Sequence, residues 1–147
     1  IARGEPIKLV DGGSQKRCFT AVSDGIDALM KMIANQDGCA SRKIFNVGNP
    51  ANNLSVRQLA EEMLRLAAEY PEYAGNARKV RLVETTAGEY YGQGYQDVAN
   101  RVPKIDNTRT ELGWEPKVKF KELVQIMVAA DLKQAKHELA VKNATAE

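Results

Sequence analysis

The ten residues Gly92-Gln-Gly-Tyr-Gln-Asp-Val-Ala-Asn-Arg101 set a phenol, a carboxylate and a guanidinium on a glycine-hinged stretch with neither helical nor strand periodicity. Two glycines let the backbone reach positive φ or approach a ligand closely, and loops that carry such groups more often bind or catalyse than pack. Tyr95 and Arg101 can each present a polar tip to one anionic substrate, the arginine through a planar fork. An exposed turn with a solvated ion pair is the plainer reading of the same residues. A second cluster lies near the start of the chain, where Lys8, Lys16 and Arg17 bracket the Gly12-Gly13 turn. Two short backbone segments there bring three cations toward one anion, and a diphosphate would suit them. Arg17 is the best candidate, because its fork makes bidentate bonds to phosphate oxygens whereas a lysine acts as a point charge. Lys8 and Lys16 read equally well as solvated charges on a strand edge.

The standard catalytic sets are absent. No Gly-x-Ser-x-Gly elbow, Walker loop or zinc motif occurs. Gly92-x-Gly94 has Asp97 where a dinucleotide-binding turn needs its third glycine, and no helical pattern follows at once. None of Tyr70, Tyr73, Tyr90, Tyr91 and Tyr95 begins a Tyr-x-x-x-Lys pair. The single histidine, His137, sits between Lys136 and Glu138 as a solvent-facing helix residue, and Cys18 and Cys39 lie far apart with no Cys-x-x-Cys, so no metal site is expected. Two reduced thiols fit a cytoplasmic protein. A net charge of +2 without a dense basic stripe argues against a nucleic-acid partner. No apolar run approaches the roughly 18 residues of a membrane span, so no membrane insertion is expected. The 147 residues open on Ile1-Ala-Arg-Gly, as if cut from something longer.

The elements that must position these groups follow from periodicity. Residues 6–10 alternate as a short strand, closed by the turn chemistry of Asp11-Gly-Gly-Ser14. Ile26, Leu29, Met30 and Ile33 recur at helical spacing from Val22 to about Gln36, and that apolar face needs a partner surface. Residues 43–47 are short, β-rich and bounded by Gly48 and Pro50, which predicts a buried strand. Ser55 as N-cap, Gln58 three residues on, and Leu54 with Leu59 as a hydrophobic staple start a helix, which Pro71 stops. Residues 80–84 read as a strand, residues 106–112 as a short helix closed by Gly113, and Phe120 onward as a long helix fraying beyond about Leu139. Residues 37–42 and 71–78 are the only candidate linkers, both too short to divide domains, so one domain is the default. Strands alternating with helices give an α/β or α+β class, but three strands make a thin sheet for this length.

Read together, Lys8-Leu-Val-Asp-Gly-Gly-Ser-Gln-Lys-Arg-Cys-Phe-Thr20, Ile44-Phe-Asn-Val-Gly-Asn-Pro50, Tyr90-Tyr-Gly-Gln-Gly-Tyr-Gln-Asp-Val98 and Leu112-Gly-Trp-Glu-Pro116 resemble the C-terminal part of an extended short-chain dehydrogenase/reductase acting on nucleotide sugars. The tyrosine loop followed by Arg101 is the narrower motif. It is similar to the UDP-glucuronic acid decarboxylase domain of bifunctional polymyxin-resistance enzymes. The resemblance implies an α/β fold: a substrate-binding subdomain plus the last elements of a Rossmann-like sheet, residues 43–47 among its strands. It also implies NAD as cofactor, UDP-glucuronate as substrate, and oxidation at C4 followed by loss of carbon dioxide. On that pattern Lys8, Leu9, Val10, Asp11, Gly12, Gly13, Ser14, Gln15, Lys16 and Arg17 contact the UDP portion, Tyr95 contacts the substrate, and Arg101 matches the arginine assigned as proton donor. A guanidinium, with a pKa above about 12, is a poor acid, so stabilising the departing carboxylate and the developing enolate is at least as plausible a role.

The same resemblance accounts for what is missing. The glycine-rich NAD turn, the Thr/Ser and Glu of the active site and the Tyr-x-x-x-Lys pair lie earlier in such polypeptides, so residues 1–147 form one nucleotide-sugar-binding segment whose NAD-binding half is absent. The segment by itself is expected to be inactive, to expose apolar faces and to self-associate, and the parent to be a homo-oligomer. Ala21 departs from the pattern where an acidic residue would follow Phe-Thr. Two other readings compete: a related epimerase, dehydratase or UDP-xylose synthase, in which Arg101 has less reason to be present, and a non-catalytic nucleotide-sugar binding module.

Overall fold

A computed structural model describes residues 1–94 and 97–144, with side chains in the last helix described up to 138 and at 141. The chain divides into two compact units, each discontinuous in sequence: Ile1–Ser14, Val56–Gln96 and Val124–Glu147 form one, and Gln15–Ser55 and Asp97–Leu123 the other.

In the first unit, β1 (Ile7–Val10) pairs in parallel with β4 (Leu82–Thr85), from Ile7 opposite Leu82 to Val10 opposite Thr85. Leu9, only 1% exposed, points into the core. After β1 the backbone turns through three successive positive φ values at Asp11, Gly12 and Gly13. Glycine is required at position 13, where a Cβ would meet the backbone nitrogen of Arg57 at 3.0 Å. Arg57 belongs to α2 (Val56–Ala67) and secures the turn, its Nε donating to the Gly12 carbonyl at 2.9 Å while its guanidinium pairs with Glu84 at 2.5 Å. Helix α2 does begin directly after Ser55. Pro71 does not simply end it: α2 stops at Ala67, and Pro71 opens a new helix, α3 (Pro71–Lys79), in place of the expected linker. A proline at the first helical position loses no hydrogen bond, because that N–H would have no partner there. Buried Tyr73 of α3 donates its hydroxyl to the Leu132 carbonyl of α6 (Phe120–Ala144), which buries Val124, Val128 and Leu132 and runs five residues past the expected fraying point. A short helix, α4 (Ala87–Tyr91), follows β4, its first amide held by Asp11 Oδ1 at 3.0 Å.

In the second unit a three-stranded sheet, absent from the sequence reading, is built from β2 (Lys16–Cys18), β3 (Asn53–Ser55) and β5 (Asn100–Arg101), with β2 in the middle. The strands are two or three residues long, too short to show an alternation. Helices α1 (Val22–Ala34) and α5 (Asp106–Leu112) pack around Ala28, Ile105, Leu112 and Trp114, with Met32 and Phe45 against them. Gly113 closes α5 in the left-handed conformation (φ 57°), as its glycine predicts.

Residues 43–47 are not the expected strand: the Ile44 and Asn46 carbonyls accept from Asn107 Nδ2 at 3.0 Å and Thr108 Oγ1 at 2.8 Å, and no strand pairs with them among the described residues. Side chains of α5 take the acceptors that a ladder would use. Helix α1 also buries a different face from the one its spacing marks. Ala28 and Asp24 are buried, while Val22, Ile26, Leu29, Met30 and Ile33 stay exposed, up to 80% at Val22. Among the described residues no helix is long and apolar enough to cross a membrane.

Candidate functional site

The second unit brings together the residues with the most chemical capacity. Strand β2 pairs in parallel with β5, Lys16 opposite Asn100 and Arg17 opposite Arg101, so two residues 84 positions apart become neighbours on adjacent strands. The loop expected to lack regular structure therefore ends in a strand. Its docking is fixed by the Lys16 amide, which donates to the Ala99 carbonyl at 2.8 Å, and by the Cys18 thiol, 3.5 Å from the Arg101 carbonyl. Partial burial pushes the Cys18 thiol above its ordinary pKa.

Arg17 is heavily engaged. Its Nη1 donates to the carbonyls of Lys16 and Val98, each at 2.7 Å, and its Nη2 to Asp97 Oδ1 at 2.5 Å. The same Asp97 oxygen accepts the Val98 amide at 2.7 Å. Arg101 is exposed, and its guanidinium makes no hydrogen bond or ion pair among the described residues. Both arginines line one cleft of about 570 Å³ with Cys18, Thr20, Asn46, Val47, Gly48, Val102, Pro103 and Lys104. Its lining carries three cations and no carboxylate, so the field in it favours an anion.

The cleft walls are tied by polar side chains that sequence reasoning did not single out. Thr20 Oγ1 donates to the Cys18 carbonyl and accepts the Asn49 amide, each at 3.0 Å, and Asn46 Nδ2 donates to the Lys104 carbonyl at 3.0 Å. The signal for Asn46 and Gly48 lay in the Asn-Val-Gly-Asn-Pro run. Asp97 was marked by the sequence as the carboxylate of the glycine loop, but not as the partner of Arg17, and Lys104 gave no signal beyond its nearness to Arg101.

Lys8, Leu9, Val10, Asp11, Gly12, Gly13 and Ser14 belong to the first unit. There the Lys8 side chain is exposed, Leu9 is core, Asp11 holds the start of α4, and Ser14 Oγ donates to the Asp11 carbonyl at 3.3 Å. In the second unit Gln15 is half-buried and Lys16 exposed on the central strand, not on an edge. Tyr95 lies outside the described residues. A dinucleotide does not fit the glycine pair: Gly92 and Gly94 do take positive φ (95° and 90°), but Asp97 and β5 follow where that motif needs a third glycine and a helix.

The family model for GDP-mannose 4,6-dehydratase matches residues 1–127. The chain belongs to that family. Among solved structures it is 58% identical to the PbgP3 protein of Burkholderia pseudomallei, with a TM-score of 0.73 over 85% of this chain and 34% of that one. The dTDP-glucose 4,6-dehydratase of Bacillus anthracis, solved in complex with NAD, matches at 17% identity and a TM-score of 0.63 over 89% of this chain and 36% of that one. The UDP-glucose 4-epimerase of Thermotoga maritima, solved with UDP-glucose, matches at 22% identity and a TM-score of 0.62 over 91% and 37%. The last two show the fold: α/β, of the Rossmann type that epimerases and dehydratases share. The chain spans about a third of the length of each of these structures.

Proposed function

We propose that this chain is the substrate-side part of an NAD-dependent UDP-glucuronate decarboxylase, resembling the decarboxylase domain of ArnA. The parent would be a cytoplasmic homo-oligomer in the route that modifies lipid A with 4-amino-4-deoxy-arabinose. The observation that carries the reading is the pairing of Arg17 with Arg101 on adjacent strands, both lining a cleft with Lys104 and no carboxylate. A nucleoside diphosphate joined to a uronic acid presents two anionic groups, and this cleft offers separate cations for them. NAD would be held by residues outside this segment, and Lys8 through Arg17 with Tyr95 would hold the UDP moiety and the sugar.

The step assigned to this chain is the loss of carbon dioxide. Once C4 is a ketone, the bond between C5 and the carboxylate carbon breaks, its electron pair moves into an enolate, and carbon dioxide leaves. Arg101, without a partner among the described residues, is free to bind the carboxylate and then to stabilise the enolate charge. With so basic a guanidinium, a water held by Arg101 is the better source of the proton that returns to C5.

The test is turnover by the full-length polypeptide with UDP-glucuronate and UDP-glucose as alternative substrates. Replacing Arg101 with alanine should lower decarboxylation about 10²- to 10³-fold, the usual effect of losing one donor to a developing oxyanion. Affinity for UDP should hold in that variant and fall in Arg17→Ala. Equal handling of the two sugars by the wild type would sink the decarboxylase reading in favour of an epimerase or dehydratase, and retention of UDP by both variants would remove the cleft from it.

A further inference from the structure

The geometry points to Asp97 as the positioning residue of this site: one carboxylate oxygen clamps the Arg17 guanidinium and the Val98 amide together and thereby docks the strand that presents Arg101. Both contacts are short, 2.5 Å to Arg17 Nη2 and 2.7 Å to the Val98 nitrogen. Arg17 completes the clamp by donating to the Val98 carbonyl, so residues 97 and 98 are gripped at a side chain, an amide and a carbonyl.

Strand β5 needs this grip because its own pairing is minimal. It is two residues long, and both are exposed. So short a ladder holds register weakly, and slippage by one residue would send the Arg101 side chain to the opposite face of the sheet. The clamp acts two residues before β5 begins, which is where it can set the register. Asp97 does not line the cleft, so it pairs with Arg17 and holds it in place without adding a carboxylate to the lining, where Arg101 keeps its charge unpaired among the described residues. Arg17 has five donor hydrogens and spends three on Lys16, Val98 and Asp97, which leaves two for a ligand. The pair is one-third exposed on each side, so its role is alignment more than stability.

The kinetic consequence rests on the decarboxylase reading, whereas the docking consequence does not. Asp97→Ala and Asp97→Asn would be compared in the full-length polypeptide, the asparagine keeping an acceptor oxygen without the charge. Hydrogen exchange at the Lys16 amide reports docking directly, because its acceptor is the Ala99 carbonyl. In Asp97→Ala that exchange should quicken about tenfold or more while the Arg109 amide in α5 stays protected, with Asp97→Asn in between. The kcat for UDP-glucuronate should fall on the order of a hundredfold with a loss of UDP affinity below about tenfold, since a misplaced catalytic group costs rate while Arg17 keeps its bonds to the Lys16 and Val98 carbonyls. The loss should vanish in an Arg101→Ala background, where nothing remains to position.

Unchanged Lys16 exchange in Asp97→Ala overturns the proposal. So does a loss of kcat that persists undiminished without Arg101, or one matched by a loss of UDP affinity. Should the wild type release no carbon dioxide from UDP-glucuronate, the functional reading fails by itself. The clamp is then judged on exchange, which sustains it if raised and overturns it if not.

Discussion

The indole nitrogen of Trp114 donates to the backbone carbonyl of Asp24 at 3.0 Å, and the carboxylate of Asp24 accepts the amides of Lys117 and Val118 at 3.1 Å each. One residue in the first turn of α1 thus fixes the corner after α5 and the segment leading to α6. The Val118 carbonyl in turn accepts from Asn49 and Asn52, so the network reaches the run that ends in the cleft wall at Gly48.

Removing the Asp24 carboxylate should therefore destabilise the protein well beyond an ordinary surface change. Asp24 is only 5% exposed, and alanine there leaves two backbone donors without an acceptor. At roughly 1–3 kcal/mol for each unsatisfied buried group, discounted for partial access of water, the loss should be about 2–4 kcal/mol. Urea unfolding checks it, with a lower midpoint and an unchanged slope. Asp24→Asn keeps the oxygen that both amides use and should lose less than half as much.

What the sequence made legible here follows a physical rule. Features encoded within a few residues came through: the Asp11-Gly12-Gly13 turn, the start of α2 after Ser55, and the left-handed cap at Gly113. Features that depend on a distant partner did not. Asp24 occupies a polar position of an amphipathic pattern, yet it is buried because amides 93 and 94 residues away need its oxygen. Residues 43–47 have strand composition but meet side-chain donors where a strand needs a neighbour. The candidate site divides in the same way. Arg17 and Arg101 were readable as residue types, but their pairing on adjacent strands and the grip of Asp97 on Arg17 span about 80 residues, and nothing local encodes them.

Helix α4 should weaken in acid through Glu89. Its carboxylate accepts the Thr86 amide at 3.0 Å and the Thr85 hydroxyl at 3.2 Å, while the Thr86 hydroxyl accepts the Glu89 amide in return. The Thr86 amide, followed by the Thr86 and Thr85 hydroxyls, holds the Glu89 carboxyl below its ordinary range. A folded-state value below the unfolded one means that the capping contribution is complete above the unfolded value and is lost as pH falls through the folded one. An NMR titration of the Glu89 side chain should give a midpoint below the reference of about 4.3. Glu89→Gln should remove the acid-dependent part of the protection of the α4 amides, and a midpoint at or above the reference would contradict the capping argument.

Gly48 makes the sharpest steric prediction at the cleft. A Cβ built on it would stand 2.6 Å from Cγ of Pro103, closer than real side chains approach. The backbone there is not in the left-handed region, so the cost of alanine is contact rather than conformation. A proline ring cannot swing aside as a lysine tip can, so the chain on one side of the contact has to move. Both residues line the cleft, and Pro103 lies two residues after Arg101, so the displacement falls on the strand that carries the candidate catalytic group. Gly48→Ala should cost about 1–3 kcal/mol in thermal or urea unfolding, the usual penalty for overpacking. Gly75→Ala in α3, where nothing lies within 4 Å of the added carbon, should instead be neutral or stabilising by up to about 1 kcal/mol. On the proposed decarboxylase reading, turnover of UDP-glucuronate by the full-length polypeptide should drop in the first variant and hold in the second. If both fall alike, the Gly48 contact has no special bearing on Arg101, and the cleft tolerates more movement than its lining suggests.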